Sequence, residues 1–161
     1  MIDGDAVVHE RALPAPPEAV YEMFVEADQL VRWIGLSAEL EAEPGGRFRF
    51  EVAPGQYCEG RYVELDPPRR IVFTWGWEEP AMGVPPGSSV VEVDLTAIDG
   101  GTRLRLTHSR LPGDDARLLH DDGWTAFLAR LEAVAAGDPP NRYPSGDPRA
   151  RLAQLREEGR A

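Results

Sequence analysis

The segment DDARLLHDDGWTAFLARLEAV, residues 114–134, decides the fold of this chain. Its apolar residues recur every three or four positions, a spacing that predicts an α-helix with one apolar stripe. Strand-like segments fill most of the sequence before it, so this helix is expected to lie across the concave face of a curved antiparallel sheet. A helix in that position leaves a space that can hold a ligand. The predicted stripe consists of Leu119 or His120, Trp124, Phe127, Leu128, Leu131 and Val134.

Gly123 lies in the middle of this predicted helix, where glycine costs about 1 kcal/mol relative to alanine. A glycine at such a position indicates that another part of the molecule approaches the helix backbone closely. The helix is expected to end at Gly137, which is followed by an aspartate and two prolines.

Seven segments before the helix show the alternation of apolar and polar residues that is expected of strands, or come close to it. In the third of them, Phe48 and Phe50 point to one side and Arg47 and Arg49 to the other. We expect the phenylalanines to face the interior. The opposite register would turn the arginines inward, where they could hold a carboxylate. The predicted strands cover residues 6–13, 37–43, 47–52, 56–65, 70–77, 89–98 and 102–109.

Two short helices are predicted between the first two strands. Pro16 and Pro17 open the first, since proline is tolerated in the first turn of a helix, and the second covers residues 27–33. Together these elements predict an α+β fold in which a seven-stranded curved antiparallel sheet wraps around a long C-terminal helix.

The chain of 161 residues suits one domain, which is predicted to span residues 1–137. The tail, residues 138–161, is rich in proline and arginine, and a short helix is predicted over 149–158. Leu152 and Leu155 are the apolar anchors of that helix. They are candidate contacts to a second subunit, so a homodimer is one expectation.

Charge and composition exclude several classes of partner. The formal net charge of −11 argues against nucleic acids and anionic membranes, whose binding requires a basic surface. No apolar run approaches the roughly 20 residues of a membrane span, and the N-terminus lacks the pattern of a secretory signal. The single cysteine, Cys58, excludes an intramolecular disulfide, so a cytoplasmic location is expected.

The sequence also predicts no cofactor and no metal. All 17 basic residues are arginine, so no lysine is present to form a Schiff base. Neither a glycine-rich phosphate loop nor a nucleophile elbow occurs. The triplet His120-Asp121-Asp122 cannot chelate a metal well, because adjacent residues of a helix point apart.

Four pieces of sequence, taken in order, carry a resemblance to a known family. They are PGG at 44–46, GRYVELDPPRRIVFTW at 60–75, GTRLRLTH at 101–108, and His120 followed by Gly123 and Trp124. In this order they resemble the branch of the START-related SRPBCC superfamily that is named after activators of a heat-shock-protein ATPase. The resemblance covers about residues 6–136.

The resemblance implies a helix-grip fold with a cavity between the sheet and the long helix. Members of the superfamily include lipid and sterol carriers as well as polyketide aromatases and cyclases. The co-chaperone that gives the branch its name carries an additional N-terminal domain, for which this chain has no room, so the co-chaperone role is the least favoured of the implied functions.

The candidate ligand site is a mainly apolar pocket on the inner faces of sheet and helix. Strand alternation and helix spacing turn most of its residues inward, whereas Trp33 is placed by the resemblance. The same tryptophans can simply be core, and the two histidines can be hydrogen-bonded core residues rather than groups that orient a ligand or transfer protons. The predicted pocket residues are Trp33, Phe48, Phe50, Trp75, Trp77, His108, His120 and Trp124.

Two functions follow from this pocket, and a third follows from the family resemblance. The first is binding of a small, largely apolar ligand of aromatic, lipid-like or polyketide-like character. The second is a cyclase-, aromatase- or hydrolase-like enzyme that uses His108, His120 or a pocket arginine or glutamate. The third is a co-chaperone-like interaction domain. Binding is favoured, because apolar lining is abundant and no acid–base pair has a telling spacing.

Overall fold

The computed structural model describes residues 1–139 and 147–159, and its described part forms the predicted α+β helix-grip fold. One antiparallel sheet has the strand order β1-β2-β8-β7-β6-β5-β4-β3, and the long helix α3 packs against its inner face. A short 3-10 helix covers Pro80–Met82. The strands are β1 Ile2–Asp3, β2 Ala6–Leu13, β3 Ser37–Leu40, β4 Arg47–Ala53, β5 Gln56–Asp66, β6 Arg70–Trp75, β7 Ser89–Ile98 and β8 Gly101–Ser109. The α-helices are α1 Pro17–Val25, α2 Ala27–Leu30, α3 Gly113–Ala135 and α4 Pro148–Glu158.

The predicted count of seven strands is wrong by one. The additional strand, β1, has two residues, and it pairs with Ala6 and Val7 after a turn at Gly4, whose φ is +62°. Two residues are too few to show an alternating pattern, so no sequence signal marks this strand.

The predicted register of β4 is confirmed by its two faces. Phe48 and Phe50 are buried, and the Phe48 ring stacks on that of Phe73 at a centroid distance of 4.2 Å. Arg47 lies on the outer face, where its guanidinium contacts the Glu39 and Glu59 carboxylates at 2.8 and 3.0 Å. The arginines therefore do not enter the interior.

Helix α3 uses the predicted stripe to cover the sheet. Four of its side chains, those of Trp124, Phe127, Leu128 and Leu131, are at most 4% exposed. Burial of large apolar side chains of this kind contributes about 1.5–3 kcal/mol each, so this contact is a principal source of stability.

Strand β6 ends at Trp75, two residues earlier than predicted, although the Gly76 carbonyl still accepts a hydrogen bond from the Glu59 backbone N–H of β5 at 2.9 Å. A Cβ atom at position 76 would lie 1.8 Å from the Pro85 carbonyl oxygen, which only glycine permits. Trp77 nevertheless returns to the interior, where it forms an isolated bridge with Cys58. The two tryptophans thus share the inner face although the strand has ended between them.

Helix α4 covers Pro148–Glu158, in the part of the tail where the sequence analysis expects a short helix. The Asp147 side chain caps it by accepting a hydrogen bond from the Arg149 backbone N–H at 3.0 Å. Arg151 Nε donates to Asp122 Oδ2 of α3 at 2.8 Å, and Arg156 pairs with Asp115 of the same helix. Within the described residues, α4 contributes no fully buried side chain. Its attachment to α3 includes these two Arg–Asp pairs, and Leu152 and Leu155 are half-buried.

Ending the chain at Gly137 is expected to leave a cooperatively folding domain that is about 1–2 kcal/mol less stable. Exposed ion pairs contribute at most about 1 kcal/mol each, and Leu152 and Leu155 are only half-buried. Urea denaturation of the full-length and shortened proteins, followed by circular dichroism, measures the difference. A shortened chain that does not fold would show instead that the tail belongs to the domain.

Candidate ligand-binding cavity

A cavity of about 520 Å³ lies at one end of the space between sheet and helix, under α4. It is bounded by the β4–β5 hairpin, the segment after β6, α3 and α4. Its volume falls in the range of pockets that hold small molecules. The apolar wall contains Val52, Trp75, Trp77, Met82, Trp124 and Phe127. The polar rim contains Gln56, Asp122, Asp147, Arg151 and Gln154.

Half of the predicted pocket residues line this cavity, and the other half lie behind it. Trp75, Trp77, His120 and Trp124 form part of the wall. The remaining four residues are buried in the core and do not line the cavity, and they are Trp33, Phe48, Phe50 and His108.

Contacts within the core hold Trp33, Phe48 and Phe50 in place. Trp33 donates its indole N–H to the Met23 carbonyl at 3.0 Å and packs edge-on against Phe24. Phe48 and Phe50 lie 6.3 and 5.3 Å from Trp75 between ring centroids, in a cluster that fills the centre of the domain. A ligand in the cavity would therefore contact the edge of an aromatic core.

His108 connects two tryptophans through a chain of hydrogen bonds. Trp124 Nε1–H donates to His108 Nδ1 at 3.0 Å, which places the ring proton on Nε2. That nitrogen donates to Ser89 Oγ at 2.7 Å, and the Ser89 hydroxyl donates to the Trp75 carbonyl at 2.8 Å. Both ring nitrogens of His108 are thus occupied within the protein.

His120 is fixed in the opposite tautomer. Its Nδ1–H donates to the Ala116 carbonyl one turn earlier in α3 at 2.7 Å, so Nε2 is an acceptor. Trp77 Nε1–H donates to that Nε2 at 3.0 Å. The Trp77 ring is thereby held against α3 at the wall of the cavity.

Both of these histidines are neutral because of their burial. Desolvation lowers the pKa of His120 from 6.5 to about 4, and the bond to Ala116 opposes this shift only in part. Desolvation also lowers the pKa of His108 well below its usual value, with a further contribution from His120, whose ring centroid is 5.0 Å away. Neutral rings with both nitrogens engaged act here as hydrogen-bonding core residues.

Gly123 faces the cavity, and the expected close approach to its backbone is wrong. Among the described residues, the nearest atom to a Cβ built there is a Phe127 ring carbon at 4.0 Å. The glycine therefore leaves cavity volume open rather than making room for a neighbouring chain.

Several cavity residues are absent from the sequence-based prediction. Val52 could have been found, because it continues the inward alternation of Phe48 and Phe50. Ser89, which is buried behind the cavity and bonded to His108, could have been found as well, because it is in phase with the inward-facing Val91 and Val93 of β7. The α4 residues at the rim carry no such signal, since their position depends on how the tail folds back.

Two further observations concern metals and membranes. No group of three histidine, cysteine or acidic side chains in the described ranges is arranged to hold a metal ion. The described helices likewise include none with the length and apolar character needed to cross a bilayer.

Comparison with known proteins identifies the family. Residues 14–136 match the model of the Activator of Hsp90 ATPase homolog 1-like protein family. The chain belongs to this family, and the resemblance found in the sequence to this branch of the SRPBCC superfamily is confirmed. A comparison with curated proteins finds no significant match.

Solved structures show the same fold. An AHSA1-like protein from Rhizobium etli is 41% identical, with 88% of this chain and 89% of that chain covered and a TM-score of 0.69. DynU16, a protein of the dynemicin biosynthetic locus, is 24% identical with a TM-score of 0.74. That match covers 88% of this chain, which spans about half (51%) of the length of DynU16. The Aha1 dimer from Colwellia psychrerythraea is 20% identical, with 81% and 95% covered and a TM-score of 0.70.

Proposed function

We propose that this protein binds a small, largely apolar aromatic, lipid-like or polyketide-like ligand in the cavity between sheet, α3 and α4. The observation that carries the proposal is the cavity itself, about 520 Å³ with Trp75, Trp77 and Trp124 in one wall. Trp77 is 6% exposed and Trp75 and Trp124 are 1% exposed, so a planar ligand would contact the edges of fixed indole rings. The similarity to DynU16, whose locus is biosynthetic, agrees with a ligand of this kind.

The state of the histidines favours binding over catalysis. A general acid or base needs a nitrogen that can reach the substrate and a pKa near the working pH. His108 and His120 have both nitrogens engaged within the protein, and the pKa of each is lowered. Asp122, a carboxylate of the polar rim, is paired with Arg151. We therefore place the cyclase-like and hydrolase-like alternatives second.

The co-chaperone-like alternative receives less support from the surface. Large apolar side chains that are more than 40% exposed in the described part of the chain are few, and they lie on separate elements. Met1 and Ile2 are at one edge of the sheet, Leu36 precedes the strand at the other edge, and Val63 lies in β5. A protein-binding surface usually needs an apolar patch of several hundred Å². The proposal includes a cytoplasmic location, as expected from the single buried cysteine.

Filling the cavity from Gly123 is expected to weaken binding without unfolding the protein. Gly123→Leu places a side chain in the open volume, and binding of the neutral fluorescent probe N-phenylnaphthylamine should weaken at least about tenfold. Gly123→Ala is the matched control. It should bind the probe almost normally and be more stable by about 0.5–1 kcal/mol, because alanine favours the helix.

Probe fluorescence and quenching of tryptophan emission report the binding, and thermal denaturation reports the stability. If Gly123→Leu remains folded and binds the probe as tightly as the unmodified protein, the cavity is not the binding site. If the unmodified protein does not bind the probe, the proposed function loses its support and the interaction-domain alternative moves to first place.

A further inference from the structure

The four tryptophan N–H groups differ in one respect. Trp33 donates to the Met23 carbonyl, and Trp77 and Trp124 donate to histidine nitrogens, each at 3.0 Å. Trp75 is only 1% exposed, yet its Nε1–H has no acceptor in the described part of the chain. Because a buried indole N–H normally has a partner, this group is exceptional.

Trp75 is held in place by its neighbours. The rings of Phe50, Trp77 and Trp124 lie between 5.0 and 5.4 Å from it by centroid distance, and His108 lies at 5.5 Å. The Trp75 carbonyl already accepts the hydrogen bond of a buried serine. The indole ring is thus packed by aromatic groups, and turning it to find an acceptor would disrupt that cluster.

His120, which lies in the same cavity wall as Trp75, has no nitrogen free to accept a hydrogen bond. His120 Nε2 is occupied by Trp77, and Nδ1 is a donor to Ala116. Asp122 at the rim accepts two hydrogen bonds from Arg151. Because Trp75 belongs to the cavity wall, a molecule in the cavity is the source that we infer for the missing acceptor.

We propose that Trp75 Nε1–H is a hydrogen-bond donor to the ligand, so that the cavity prefers flat aromatic molecules with a carbonyl oxygen over the corresponding hydrocarbons. This inference rests on the proposed function and specifies the ligand class. The ligand is uncharged or cationic rather than anionic, since the rim carries Asp122 and Asp147 against a single arginine, Arg151, in a chain of net charge −11. An oxygen that accepts from Trp75 satisfies a donor that has no partner among the described residues.

Indanone and indane test this proposal, because they are nearly identical in shape and differ by one carbonyl oxygen. Dissociation constants of both are measured by NMR titration for the unmodified protein and for Trp75→Phe, which keeps an aromatic ring and removes the N–H. The affinity ratio of indanone to indane should be about five- to tenfold higher in the unmodified protein than in the variant. Trp33→Phe, which removes an indole N–H outside the cavity, is the control and should keep the unmodified ratio.

The indole resonances supply a second readout that does not depend on the folding of the variant. In the unmodified protein, the Trp75 Nε1–H resonance should move downfield on addition of indanone and much less on addition of indane. If both compounds bind and neither the ratio nor this resonance distinguishes them, the proposed donor role is overturned while ligand binding stands. If neither compound binds, both the donor role and the proposed function are overturned.

Discussion

Replacement of Trp124 by alanine is expected to lower the free energy of unfolding by about 3–5 kcal/mol, the usual cost of removing a large aromatic side chain from a core. Trp124 is 1% exposed, and its ring lies 5.0 Å from Trp75 and 5.7 Å from Phe127 between centroids. The substitution also leaves His108 Nδ1 buried without its donor. Because α3 covers the sheet through this residue, the loss affects the centre of the domain.

Trp124→Phe separates packing from hydrogen bonding in this prediction. It keeps an aromatic ring of smaller size and removes the N–H, so its cost should be intermediate, about 1–3 kcal/mol. Urea denaturation of the three proteins, monitored by far-ultraviolet circular dichroism, measures both differences. An unchanged denaturation midpoint for Trp124→Ala would show that α3 does not depend on this side chain.

Acidification is expected to remove about 3 kcal/mol of stability through His120 alone. The pKa of this residue is 6.5 in the unfolded chain and about 4 in the folded protein, so the unfolded chain takes up the proton first. The contribution is fully present above pH 6.5, is lost as the pH falls from 6.5 towards 4, and changes no further below that value. The pKa of His108 is lowered for the same reason, so its contribution has the same sign.

His120→Gln is the matched variant for the acid effect, because glutamine does not titrate in this range. It should be less stable than the unmodified protein at neutral pH, and the difference should shrink as the pH falls through the window. Protonation of surface carboxylates affects both proteins equally and cancels in this comparison. Parallel stability curves between pH 7 and 4 would show that His120 is not held neutral by burial. Chemical denaturation at each pH supplies the curves.

The fold could be predicted because its signals are local and repeated. The helical spacing from Leu119 to Val134 and the alternation around Phe48 each repeat several times, so one deviation does not hide the pattern. Strand β1 was missed because its two residues are too few to show an alternation of apolar and polar side chains. The end of β6 was misplaced because the alternation of Phe73 and Trp75 continues to Trp77, which makes only an isolated bridge with Cys58 after the regular strand has ended.

The site was harder to predict than the fold, for a physical reason. Alternation and spacing show which side chains face inward, but they do not show whether the interior at that point is filled or empty. Phe48 and Trp75 are both inward-facing, yet one lies in the filled core and the other at the cavity. The rim also depends on α4, which forms Arg–Asp pairs with α3. The spacing of residues within either helix does not predict which residues of the two helices pair.

The attachment of α4 at the surface makes it possible for ligand release and global unfolding to have different rates. Since α4 contributes no fully buried side chain within the described residues, its detachment breaks surface ion pairs and leaves the core between α3 and the sheet intact. We therefore expect the residence time of the proposed ligand to depend on a local opening at α4, whereas the lifetime of the folded domain depends on global unfolding. We expect charge substitutions at Asp115 or Arg156 to change the residence time of the proposed ligand more than the lifetime of the folded protein.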